Sequence, residues 1–148
     1  MDIPVQLHEI YEAYARKLAQ AHKNSSIFAG LFGQGSMKDA RSDTCNQEFY
    51  ENTAQWVASF SGSNPDPQQV FAVCKYVLEA ASISNGKPTY WYHLVAQAHV
   101  KCLIPMLNRD DCGILLENYL KWYPKRQQLP LQREMTELLK KHSEKESE

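Results

Sequence analysis

Apolar side chains recur along this chain at steps of three and four residues, the period that places them on one face of an α-helix. Ile3, Leu7, Ile10, Tyr14 and Leu18 form the first stripe, with polar residues between them, and predict an amphipathic helix over residues 3–23. Pro4 falls in its first turn, where the missing amide proton is tolerated. Cys45, Phe49, Trp56 and Phe60 repeat the pattern, with Tyr50 and Val57 widening the face. Asp43 or Thr44 is positioned to cap this second helix, and Thr44 with Gln47 has capping-box spacing. A third helix opens with Asp66, Pro67 and Gln69 as N-cap, first and third residues, and carries Val70, Val73, Cys74, Val77, Leu78 and Ala81. Asn85 and Gly86 are expected to end it, since glycine adopts a left-handed backbone without steric cost.

A fourth helix is expected over residues 88–104, apolar on nearly every side, with Lys101 as its one full charge. A helix of that kind is enclosed by others. Pro105 must end or kink it. Asn108 or Asp110 caps a fifth helix with the stripe Cys112, Leu115, Leu116, Tyr119 and Leu120, and Pro124 closes it. A sixth starts at Pro130 and shows Leu131, Met135, Leu138 and Leu139. No stretch alternates apolar and polar residues long enough to predict a strand. The expectation is an all-α, single compact bundle of about six helices, occupying residues 1–141 with the central helix near residues 88–104. Residues 142–148 contain no apolar side chain and are expected to fray.

Residues 24–42 interrupt the pattern. Gly30 lies within an apolar piece, residues 27–32, and Gly33 and Gly35 follow it, outside the stripes described so far. The glycine order is neither of the phosphate-binding fingerprints, and the segment reads as a connection whose Phe28, Leu31 and Phe32 fold onto the bundle or meet a partner. Trp122 and Tyr123 beside Lys121, Lys125 and Arg126 form a second aromatic cluster suited to a protein interface.

The chain has 148 residues and a net charge of −1. That length supports a core without metal or disulfide staples. The charge offers no general attraction to nucleic acid or anionic membrane, and residues 109–148 carry eight basic and eight acidic side chains, the mark of a solvated outer layer. Nucleic-acid and membrane partners are therefore not expected. Neither a signal peptide nor paired cysteine spacing is seen, so the expected location is cytoplasmic, with Cys45, Cys74, Cys102 and Cys112 reduced.

Chemistry is sparse. Cys45, placed in the first turn of a helix and served by His93 or His99 as base, has the outline of a thiol nucleophile, although its period is that of a core residue. His99 and Cys102 share a helix face, but two ligands do not make a metal site, and no cofactor motif is present. The reading placed first is a protein-interaction or adaptor module with a protein partner or a second copy of itself. A thiol-dependent or pocket-based enzyme around Cys45 follows, and a small-molecule or metal sensor comes third. The missing acid–base constellation leans against an enzyme.

Overall fold

The computed structural model describes residues 4–32, 36–83 and 89–144, with side chains at 4–20, 44–81, 91–92 and 94–144. The fold is all-α, as the periodicity predicts, with six α-helices and no strand among the described residues. They are α1 (Val5–Phe32), α2 (Ser36–Gly62), α3 (Pro67–Ile83), α4 (Thr89–His99), α5 (Arg109–Trp122) and α6 (Pro130–Glu144). The chain groups into two compact units, Pro4–Val57 and the residues from Ala58 onward.

The first unit is an antiparallel helical hairpin. Pairings between its helices run in opposite directions: Gln6 meets Trp56, Tyr11 and Tyr14 meet Phe49, and Lys17 meets Glu48. Phe49 anchors the packing. Tyr14 stacks on it with ring centroids 4.2 Å apart, and Tyr11 meets it at a right angle at 4.9 Å. The Tyr14 hydroxyl donates to Asn46 Oδ1 within this core. The buried stripe of α2 is Asn46, Phe49, Thr53 and Val57, whereas Cys45, Tyr50, Trp56 and Phe60 lie half-buried at its margins. The apolar count alone misplaced the stripe because two of its members are polar.

Both helices of the hairpin are longer than expected. The spacing Leu7, Tyr11, Tyr14, Leu18 extends in the sequence through Ala21, Ser25, Phe28 and Phe32, an unbroken alternation of four and three. An established helix propagates easily, and the cost of one glycine, about 1 kcal/mol, does not stop it at Gly30. The backbone of residues 27–32 is thus helical, not a connection. α2 starts at Ser36, so Asp43 and Thr44 are interior residues and the capping box at Thr44 is not the helix start. Met37, Lys38, Ala40 and Arg41 are all good helix formers, which explains the earlier start.

In the second unit, α3 begins as predicted. The Gln69 amide donates to Asp66 Oδ1 at 3.0 Å, and the Asp66 amide donates to Gln69 Oε1 at 3.1 Å, a reciprocal capping box. All six apolar positions of its stripe are buried. The predicted stop at Asn85 and Gly86 lies outside the described residues. α4 is shorter than the 88–104 expectation. It ends at His99, and the chain tightens into two 3-10 turns, Val100–Cys102 and Ile104–Met106. Pro105 stands near the start of the second turn and has no proton to donate to an α-helical ladder. The adjacent amides bond three residues back instead, Leu103 to Val100 and Met106 to Leu103, both at 2.9 Å. Val95, Val100, Leu103 and Ile104 are fully buried, as the central position requires, while Lys101 and Cys102 emerge to solvent.

α5 starts after Asn108, whose side chain makes no capping hydrogen bond, and ends before Pro124, and α6 starts at Pro130, at the bounds the sequence predicts. α6 continues to Glu144, past the expected onset of fraying at residue 142, and His142 is half-buried. Its buried stripe is Gln132, Met135, Thr136 and Leu139. A polar knot holds its entry. The Leu129 amide donates to Gln132 Oε1 at 2.8 Å, one half of a capping box. The buried Gln128 amide donates to the Tyr123 carbonyl at 2.8 Å and to Thr136 Oγ1 at 2.9 Å, tying the end of α5 to α6.

Candidate functional site

α4, the 3-10 turn that follows it and α6 line an open groove in the second unit. α6 packs on α5 and also reaches α4. Gln97 of α4 donates through Nε2 to Glu134 Oε2 of α6 at 3.0 Å and bridges the two helices. Beyond that bridge lies a shallow, solvent-open groove of about 480 Å³. Lys101 projects over it from the 3-10 turn, and Arg133, Glu137, Leu138 and Lys141 line it from α6. Lys101 stands above a fully buried Val100, so the turn that carries it is rooted in the core.

The chemistry of the groove is electrostatic. Lys101, Arg133 and Lys141 have no ion-pair partner among the described residues. Of the two carboxylates, Glu134 is engaged by the Gln97 amide. Leu138, half-buried, is the apolar element. The groove is open to solvent.

The residues singled out from sequence are spread over both units. Cys45 belongs to the first unit and lies well inside α2, away from the exposed amides of the helix start. Burial raises its thiol pKa above the ordinary value. Glu48 adds to that rise, and Lys17 only partly offsets it. The thiolate activation expected of a first-turn cysteine is therefore not there. His99 belongs to the second unit and is buried. The side chain of His93 lies outside the described residues, as do those of Phe28, Leu31 and Phe32.

Cys102 is exposed rather than a core filler, and its thiol donates to the His99 carbonyl at 3.0 Å. Cys74 and Cys112 are buried, and burial holds both thiols above their ordinary range, Cys112 at about 11. No group of three or more metal-ligating side chains is assembled among the described residues. Trp122 is half-buried. Tyr123 leans on Tyr119 with centroids 4.9 Å apart, and burial pushes its phenol up to about 12.

Sequence reasoning missed the groove. Its one signal was Lys101, a lone charge on an otherwise apolar segment. No helix among the described residues is long and apolar enough to cross a membrane. No protein-family model, curated protein or solved structure matches the chain.

Proposed function

We propose that the chain is a cytoplasmic protein-interaction module that docks a partner along the groove between α4 and α6. The observation that carries this reading is the set of three rim cations, Lys101, Arg133 and Lys141, left without ion-pair partners among the described residues around a shallow groove. Exposed charges contribute little to fold stability. Charges grouped around a concave surface steer a partner and fix its register. Four free cysteines suit a reducing compartment.

Site-specific photo-crosslinking tests the reading. A photoreactive residue replacing Leu138 should trap a discrete protein product in cells that express the full chain. The same residue replacing the exposed Glu117 of α5 should not, and Lys101→Glu should suppress the product at 138. Equal trapping from both positions, or none from 138, would remove the groove as the docking face.

A further inference from the structure

The charge order along the groove narrows the partner. Arg133, Glu137 and Lys141 follow one another at one-turn intervals on α6. At about 1.5 Å rise per residue, the two cations stand about 12 Å apart along the helix, with a carboxylate midway. An extended peptide rises about 3.3 Å per residue and turns alternate side chains to the same side. Its residues four apart therefore face one way at about 13 Å, close to the separation of the cations. Lys101, on the opposite wall, adds a third positive group, and half-buried Leu138 gives the peptide backbone an apolar seat. The excess of positive charge is local, because the chain as a whole carries −1.

We propose that the groove binds an extended acidic segment of a partner protein, with carboxylates four residues apart meeting Arg133 and Lys141 and a non-acidic residue midway, opposite Glu137. The assignment rests on the reading of this face as a docking surface. A nucleic-acid strand fits less well. Glu134 and Glu137 would face its continuous row of phosphates, and among the described residues the groove lining holds no aromatic ring on which a base could stack.

The test is a titration of the isotope-labelled full chain with short acetylated and amidated peptides, followed by amide NMR. The probe carries two glutamates separated by Gly-Ser-Gly. Three controls replace both glutamates by glutamine, place them adjacent, or replace them by lysine. The glutamate probe should shift the amides around Gln97, Lys101 and residues 133–141 saturably, and more weakly at high salt. The adjacent-glutamate peptide should bind several-fold more weakly, because it reaches one end of the groove only.

Lys101→Glu combined with Arg133→Glu should weaken the probe by about tenfold or more with an unchanged circular dichroism spectrum. Glu137→Gln should strengthen it. Equal binding of the glutamine peptide, shifts mapping elsewhere, or an undiminished affinity in the double variant would each overturn the proposal. Preferred binding of the lysine peptide, or concentration-dependent shifts of the same residues without peptide, would overturn the acidic partner while leaving this face a docking surface. Absence of any response overturns the acidic class, and crosslinking at position 138 then judges the docking reading separately.

Discussion

Phe49→Ala is expected to be among the most damaging single changes in the hairpin of α1 and α2. The ring is 2% exposed, lies flat against Tyr14 and meets Tyr11 at a right angle. Removing a buried phenylalanine costs about 3–5 kcal/mol, the sum of lost transfer energy and the cavity left behind. Two aromatic contacts, each worth about 0.5–1.5 kcal/mol beyond area burial, place this site toward the upper end. A domain of ordinary stability holds about 5–15 kcal/mol in total, so the loss is a large fraction of it. Phe49→Leu keeps most of the volume and forfeits the ring contacts, for an expected cost of about 1–2 kcal/mol. Tyr14→Phe keeps the stack but strips the donor from buried Asn46, for about 1–3 kcal/mol. Urea unfolding followed by circular dichroism and by tryptophan fluorescence ranks the three variants. A loss below about 1 kcal/mol for Phe49→Ala, within the range of surface changes, would refute the packing described for this hairpin.

The capping box of α3 predicts that Asp66→Ala costs about 1 kcal/mol and Asp66→Asn much less; thermal melts of the pair would show it, and equal melting would contradict it. Iodoacetamide labelling of the folded protein should modify Cys102 first and leave Cys74 and Cys112 intact until denaturant is added. Cys102 itself should react more slowly than free cysteine at neutral pH, because partial desolvation of its sulfur raises the thiol pKa; early labelling of Cys74 would show that the α3 core opens. Alkaline pH should unfold the chain. Cys112 moves from 9.0 to about 11 and Tyr123 from 10.0 to about 12, both upward through burial. The folded state therefore holds protons that the unfolded chain has released, so the stability these groups contribute is intact below about pH 9 and falls between about pH 9 and 12. Spectroscopic titration of tyrosinate should find Tyr123 among the last to ionise, and a stability flat across that window would contradict the burial.

Local signals told most where one residue decides the backbone. Asp66, Pro67 and Gln69, Pro124 and Pro130 each bound a helix where the chain places one. The α3 stripe was legible because every buried member is apolar. The hairpin was harder. Asn46 and Thr53 are buried in the α2 stripe, so counting apolar residues rotated the face, and Gly30 with the nearby glycines disguised a continuing helix. Pro105 announced a break, but not that the backbone would tighten into 3-10 turns before reaching it. The groove was least visible. Arg133, Glu137 and Lys141 alone look like any solvated helix face. Only packing brings Gln97 and Lys101 across from residues some forty positions earlier.

Lysine reactivity gives the most direct test of the claim that this groove is a docking surface. Lys101 and Lys141 line it, while Lys75 and Lys121 are exposed elsewhere in the second unit. Amine acylation should be quantified by mass spectrometry on the purified protein and in intact cells that make it. The account predicts that Lys101 and Lys141 are protected in cells relative to Lys75 and Lys121, and that Arg133→Glu abolishes the protection. The same reactivity for all four lysines in both settings would contradict it.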